Sequence, residues 1–232
     1  MTGSVESSDW PESVEDALED QRRLSTRLIS SPLELSAVRT ILCVGVGYSE
    51  KRQAAVASGV LARPDGSPER PGEVFLAECP SKFPYKPGLF AYREGPGVMR
   101  LLDSLPGLPD LLVFHSQGIA HPRGFGLAAH IGVLVETPSL GLTRKRLVGR
   151  YVDPPLEAGA SSVLSTRGGG PVGLAYRPLS GCEVFFASPG HLTQLSTLRA
   201  FLQGVTSYKA CFPEALTLAQ SAANKRAFSK PN

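Results

Sequence analysis

Residues 38–79 read VRTILCVGVGYSEKRQAAVASGVLARPDGSPERPGEVFLAEC, and this stretch decides the fold. It holds three apolar runs, at 38–47, 54–61 and 73–79, which are separated by polar segments with turn-forming residues. Apolar runs of this length that are rich in β-branched residues and joined by short links are typical of consecutive strands. The stretch therefore predicts a meander of three antiparallel strands.

Helical and strand patterns alternate after this meander. A helical pattern extends from 88 to 102, with a break or kink predicted at Gly95-Pro96, and the apolar run 110–115 is typical of a buried parallel strand. The other predicted elements are an amphipathic first helix that starts after Asp9 and Pro11, a helix near 125–135, strands at 139–143, 172–176 and 183–187, a loop at 153–170, and two final helices. This order predicts an α/β fold, a ribonuclease H-like mixed sheet flanked by helices, in a single domain over residues 1–232.

Composition limits the classes of partner and compartment. The net charge is only +3, so nucleic-acid binding would depend on local basic patches. The four cysteines, Cys43, Cys79, Cys182 and Cys211, form no CxxC motif and predict reduced, buried thiols in a cytosolic protein. The acidic, polar start of the chain and the lack of an apolar run near ~18 residues predict no signal peptide, no membrane span and a cytoplasmic location.

Three short motifs follow the meander in a characteristic order. They are Pro84-Tyr85-Lys86-Pro87-Gly88, which leads into Tyr92-Arg93-Glu94-Gly95-Pro96; Gln117-Gly118-Ile119-Ala120-His121-Pro122-Arg123, which extends to His130; and Pro138-Ser139-Leu140-Gly141. Together they resemble the endonuclease V family, whose members cut DNA or RNA near deaminated adenine. The resemblance covers nearly the whole chain. It implies the same ribonuclease H-like fold, with nucleic acid as the partner and Mg²⁺ as the cofactor.

The acidic residues that would hold the metal are the main departure from the family pattern. Where the family has Gly-Val-Asp, this chain has Gly45-Val46-Gly47, and His115-Ser116 stands where the family has Asp-Gly. Gln220 occupies the place of an acid or His in the last helix, and only Glu94 keeps the family residue. Because hydrolysis assisted by Mg²⁺ needs converging carboxylates, the sequence predicts no metal site and no metal-dependent cleavage.

Neighbouring acids do not replace the missing ones. Glu50 lies three residues beyond Gly47, so its side chain is predicted on the opposite face of the strand. Asp110 stands at the other end of its strand, roughly 17 Å from His115 at about 3.3 Å per residue. The candidate catalytic residues are therefore limited to Glu94 and His115.

The resemblance also implies which residues would handle the nucleic acid. The wedge loop, Pro84-Tyr85-Lys86-Pro87-Gly88, would insert beside the lesion, because two prolines fix a loop whose tyrosine can stack on bases. The alternative interpretation of this segment is a stiff loop that packs Tyr85 on the protein core. Gln117, Gly118 and Gly141 would form a pocket for a flipped base, since glycine lets backbone amides approach a ligand, and the alternative is turn geometry.

Basic and histidine side chains complete the predicted substrate-binding set. Arg144, in the basic run 143–146, falls where the family contacts phosphate, although such a run can also be a solvated face. His121 and Arg123 lie in a loop and are candidates for substrate contact. His130 and His191 are interpreted as structural, hydrogen-bonded histidines.

Three functional hypotheses remain open from the sequence. The first is a divergent family member that binds a deaminated or distorted base in nucleic acid without cutting it. The second is an enzyme acting on a small molecule without metal, in which His115 lies within reach of Glu94 and Gly47 leaves space in the pocket. The third is a non-catalytic subunit that binds a protein partner.

Overall fold

The computed structural model describes residues 10–205 and 210–229, and these ranges contain one eight-stranded mixed sheet and five α-helices. The strands are β1 (Ile41–Ser49), β2 (Ala54–Ala62), β3 (Phe75–Pro80), β4 (Leu111–Phe114), β5 (Ser139–Thr143), β6 (Ser161–Ser165), β7 (Pro171–Tyr176) and β8 (Phe185–Pro189). The helices are α1 (Val14–Ser25), α2 (Phe90–Asp103), α3 (Leu127–Leu134), α4 (Leu195–Val205) and α5 (Glu214–Phe228). Asp9, part of the predicted helix start, lies outside the described residues.

The predicted meander and the α/β fold class are confirmed. β1 pairs antiparallel with β2, and β2 pairs antiparallel with β3. β4 then adds to the free edge of β1 in parallel, with Ile41 opposite Leu111 and Val44 opposite Phe114, and β5 adds in parallel to β4. The strand order is β3-β2-β1-β4-β5-β8-β7-β6, so the central parallel strands are covered on both edges.

Helices cover both faces of the central strands, which explains why β1 and β4 are apolar along their length. Ile41 and Cys43 belong to a core that includes side chains of α4 and α5. Leu42 and Val44 belong to a second core with side chains of α2 and α3. Odd positions of β1 therefore face α5, and even positions face α2.

Two local predictions were wrong. The segment predicted as a loop at 153–170 contains β6, an edge strand in which only Leu164 is fully buried, so its apolar pattern is weak. Of the break or kink predicted at Gly95-Pro96, the break does not occur, because α2 continues through Pro96. Gly95 instead admits Trp10, since a Cβ at this glycine would lie 2.4 Å from the indole ring.

The prediction of four reduced cysteines was also wrong. Cys182 and Cys211 form a disulfide, whereas Cys43 and Cys79 are free and buried. The two bonded cysteines are 29 residues apart, and the fold brings the segment before α5 beside the turn before β8, with the two Cα atoms 5.5 Å apart. The cysteines therefore no longer support the predicted cytosolic location. No helix in the described ranges is long and apolar enough to cross a membrane.

Candidate functional site

The candidate residues collect at the carboxyl ends of the parallel strands, where open α/β sheets commonly bind ligands. His115 follows β4, Arg144 follows β5, and β1 extends beyond its last register pair with β4. The first turns of α2, which carry Glu94, and the wedge loop before them follow β3 along the chain. The candidate site therefore lies at the carboxyl ends of these strands.

Helix α5 fills the space that was expected over Gly47. A Cβ at Gly47 would lie 3.3 Å from the Ala227 Cβ and 3.4 Å from the Ala223 carbonyl oxygen. At Gly45 the approach is closer, with a built Cβ 2.4 Å from the backbone of Ala219. The prediction that Gly47 leaves an open pocket was therefore wrong, because small residues on the strand and the helix let the two backbones approach.

Gln220 links α5 to the backbone of β1. Its Oε1 accepts a hydrogen bond from the Val46 N–H at 3.2 Å, and its Nε2 donates to the Val46 carbonyl at 2.8 Å. Val46 lies past the last β1–β4 register pair, so these groups have no partner in β4. A primary amide can both donate and accept, whereas a carboxylate can only accept. The Gln220 amide is thus suited to bond the free backbone N–H and carbonyl of Val46 rather than to hold a cation.

His115 faces the α5 side of the sheet. Its ring centroid lies 5.4 Å from that of Phe212 in an edge-to-face arrangement, and the Arg144 guanidinium carbon lies 4.6 Å from the same Phe212 ring. Burial, assisted by the positive charge of Arg144, lowers the pKa of His115 below its ordinary value. The lowered pKa favours the neutral imidazole, whose ring packs on Phe212, and Arg144 contacts the same Phe212 ring.

Glu94 is not bonded to His115. Its carboxyl keeps some solvent exposure but is surrounded by protein, and burial raises its pKa to about 7, against the opposing effect of Arg93. No hydrogen bond or ion pair between Glu94 and His115 exists in the described structure, and neither contributes to the pKa of the other. Among residues 10–205 and 210–229, no three His, Cys, Asp or Glu side chains converge to hold a metal ion.

The wedge loop projects into solvent. Pro84, Tyr85, Lys86 and Pro87 are all exposed, and Tyr85 keeps 63% of its surface accessible. The centroid of the Tyr85 ring lies 5.4 Å from that of Phe90 and 5.6 Å from the Arg93 guanidinium carbon. The aromatic ring is therefore available for stacking and is not packed into the protein core.

His121 and Arg123 support the base of the wedge loop. Arg123 donates hydrogen bonds to the Gln21 side chain and to the Gly88 carbonyl, and Gly88 has a positive φ of 80°. The Nδ1 of His121 accepts from the Arg123 N–H at 3.2 Å, and burial lowers the pKa of His121 to about 4. Arg123 therefore joins α1 to the wedge loop, and His121 is bonded to the backbone of Arg123.

The glycines of the predicted base pocket bring backbones together. A Cβ at Gly141 would lie 2.4 Å from the Gly118 nitrogen, and a Cβ at Gly118 would lie 2.0 Å from the Pro189 carbonyl oxygen. The Gly118 N–H donates to the Ser188 hydroxyl at 2.8 Å, and the Gln117 carbonyl accepts from Ala128. The structure thus brings Gln117, Gly118 and Gly141 together, with the backbone amide of Gly118 already bonded.

The remaining histidines are packed inside the protein. The His130 ring stacks on Trp10 with a centroid distance of 5.5 Å, and burial lowers its pKa to about 4. The Nδ1 of His191 accepts from the Ile29 N–H at 3.2 Å. Both are placed as the sequence interpretation expects, although His130 Nδ1 has no hydrogen-bond partner in the described structure.

Sequence reasoning missed the contacts of Arg93 and Phe212. Arg93 is 5% exposed, and its guanidinium carbon lies 3.7 Å from the centroid of the Tyr48 ring. The Phe212 ring contacts both His115 and Arg144. Arg93 could have been noticed because it stands within a matched motif, beside Glu94, whereas nothing local in the sequence marks Phe212.

Comparisons with known proteins agree with this architecture. The family model described as Endonuclease V matches residues 22–221. A protein named Endonuclease V from Xanthomonas campestris pv. campestris (strain B100) is 36% identical over 219 residues, which cover 94% of this chain and 90% of the relative. The one from Thermus thermophilus is also 36% identical, and the match covers 93% of this chain and 94% of the relative.

Solved structures show the same fold. The Endonuclease V structure from Streptomyces avermitilis superposes with a TM-score of 0.82 at 34% identity, covering 94% of this chain and 95% of that one. A Ciona intestinalis Endonuclease V, crystallised with DNA that contains an inosine, has a TM-score of 0.75 at 21% identity, covering 92% of this chain and 96% of that one. The latter likeness is evidence for the fold alone.

Proposed function

This chain belongs to the endonuclease V family, and we propose from that premise that it binds a deaminated or distorted base in nucleic acid without metal-dependent cleavage. The observation that carries the proposal is the packing of α5 on Gly45 and Gly47, with Gln220 bonded to the Val46 backbone. The wedge loop supports the binding half, since its tyrosine is exposed while its base is braced by Arg123.

The residues present do not fit the Mg²⁺ that family membership implies. Mg²⁺ prefers oxygen ligands and an octahedral shell, usually with one or two carboxylates and several waters. Gly47 offers no ligand, His115 offers an imidazole that faces Phe212, and the Gln220 amide is bonded to Val46. Glu94 is left as a single carboxylate. The proposal therefore includes no metal cofactor.

The alternatives receive less support. A small-molecule reaction would need Glu94 and His115 to act on one substrate, yet His115 belongs to the α5 face of the sheet and Glu94 to α2, which covers the other face. We favour nucleic acid over a protein partner because of the charges at the carboxyl ends of the strands. The exposed cations Arg144, Lys145 and Arg146 at the carboxyl ends of the strands fit a polyanion.

Replacing Tyr85 with alanine is expected to weaken binding to an inosine-containing oligonucleotide by about 1–3 kcal/mol, because one stacking platform is lost. Fluorescence anisotropy titrations of the labelled strand would measure the change. Tyr85→Phe keeps the ring and is the matched control, with an expected affinity close to that of the parent. Replacing Arg144 and Arg146 with glutamine should also reduce the salt dependence, since fewer phosphates are neutralised.

The binding proposal fails if the parent protein does not bind at low salt. It also fails if Tyr85→Ala and Tyr85→Phe have the same affinity as the parent, because the wedge loop would then have no contact with the strand.

A further inference from the structure

Arg93 is a buried cation at the foot of the wedge loop. Only 5% of its surface is exposed, although guanidinium groups are rarely buried without a charged partner. Its guanidinium carbon lies 3.7 Å from the centroid of the Tyr48 ring and 5.6 Å from that of the Tyr85 ring. The Tyr48 ring therefore lies against the guanidinium, the Tyr85 ring lies further away, and an N–H group at the guanidinium edge is the part that meets an anion.

The carboxylate that meets this edge belongs to Glu50, directly after β1. An NH₂ group of Arg93 donates to the Glu50 carboxylate, and the Arg93 Nε is buried with no hydrogen-bond partner among the described residues. The two side chains differ sharply in environment, since 6% of the Arg93 side chain is exposed and 78% of the Glu50 side chain. The buried cation is thus neutralised by a group that is almost fully hydrated.

Such a partner can be exchanged at low cost. The Glu50 carboxylate is exposed, so its release costs it little, because water solvates a carboxylate nearly as well as the cation does. The arginine has no comparable alternative, since it is enclosed by Tyr48, Tyr85 and the body of α2. An incoming anion that reaches the same edge would therefore replace Glu50 without moving Arg93.

We propose that Arg93 is a phosphodiester-binding residue of the wedge loop, and that Glu50 occupies its edge until a nucleic-acid phosphate takes its place. The inference rests on the proposed nucleic-acid binding and assigns a phosphate position to it. A guanidinium edge matches phosphate oxygens in geometry and charge. Its contact with Tyr85 puts this phosphate next to the base that the wedge would stack on.

Glu50 then acts as an internal competitor for the site. In the parent protein, a phosphate that binds Arg93 must release a carboxylate, so the exchange removes one ion pair and makes another. In Glu50→Gln the arginine edge has no anionic partner, and the phosphate meets a free cation. We expect this variant to bind the strand about fivefold to tenfold more tightly at low salt, the size of effect that removing one opposed charge produces.

The salt dependence separates this contact from a general change of charge. One additional neutralised phosphate changes the slope of log K against log salt by about 0.9 for duplex DNA. Arg93→Met should therefore have a shallower slope by about that amount, whereas Glu50→Gln, in which the same phosphate is neutralised as in the parent, should bind more tightly with the slope unchanged. Glu157→Gln is the matched control, because Glu157 is an exposed acid with no ion pair in the described structure, and it should leave the slope unchanged.

The decisive experiment is a double-mutant cycle. Binding to a labelled, inosine-containing duplex is measured by fluorescence anisotropy. Parent protein, Glu50→Gln, Arg93→Met and the double variant are titrated at several salt concentrations, and thermal unfolding checks that each is folded. We expect the gain from Glu50→Gln to disappear in the Arg93→Met background. An equal gain in both backgrounds, or a gain no larger than that of Glu157→Gln, would overturn the assignment.

The cycle also distinguishes the two proposals from each other. If the parent binds and Glu50→Gln behaves like the control, the phosphate position is wrong while nucleic-acid binding stands. If the parent does not bind at low salt, both proposals are wrong.

Discussion

Replacing Gly45 with alanine is expected to lower the free energy of unfolding by about 3 kcal/mol or more, a cost at the upper end of overpacking. A Cβ at this position would lie 2.4 Å from the Ala219 carbonyl carbon and 2.4 Å from the Gln220 nitrogen. These are backbone atoms, so no side-chain rotation can relieve the contact. The new methyl group would have to move α5 away from β1, and Gln220 would then lose its hydrogen bonds to Val46.

Urea unfolding followed by circular dichroism would measure this loss. Gly107→Ala is the matched control, since a Cβ there has no heavy atom within 4 Å and the residue does not have a positive φ. Surface substitutions of this kind usually change stability by less than about 0.5 kcal/mol. If Gly45→Ala were as stable as Gly107→Ala, the close packing of α5 on β1 would be wrong.

Introducing two aspartates by Gly47→Asp together with His115→Asp is expected to destabilise the protein by about 3 kcal/mol or more without creating a metal site. The new carboxylate at position 47 would enter the apolar contact of Val56, Ala223 and Ala227, where burial of a charge is costly. His115→Asp alone should be tolerated better, because His115 is partly exposed.

Urea unfolding of the two single variants and the double variant would separate these contributions. Calorimetric titration with Mn²⁺ would test for the metal site, and no saturable binding is expected. A double variant that retains the parent's stability and binds Mn²⁺ would mean that α5 moves away from β1 at little cost and that two substitutions are enough to create a metal site.

The fold was predictable because its signals are local. The runs at 38–47, 54–61 and 73–79 are apolar over the length of a strand, and β1, β2 and β3 occupy them. The buried parallel strand at 110–115 was recognisable because strands covered on both faces are continuously apolar. β6 lacked this signal, since it is an edge strand with one fully buried residue.

The site was harder to predict because its contacts join distant parts of the chain. The motif residues could be placed at the correct strand ends, yet Arg123 and Gly88 meet across 35 positions, and Gln220 and Val46 across 174. The pairing of Cys182 with Cys211 likewise depends on the fold, which brings two separate parts of the chain together. Glu50 follows the end of β1, and its partner Arg93 on α2 could only be found in three dimensions.

One measurement tests the central claim most directly. The protein is mixed with an end-labelled, inosine-containing oligonucleotide, with Mg²⁺ or Mn²⁺ present, and the same sample is analysed for bound complex and for strand length. We expect a complex whose formation depends on Tyr85 and a strand that stays intact, because α5 packs on Gly45 and Gly47 and Gln220 is bonded to the Val46 backbone. Metal-dependent cleavage of the strand that is lost in Glu94→Ala would contradict the account.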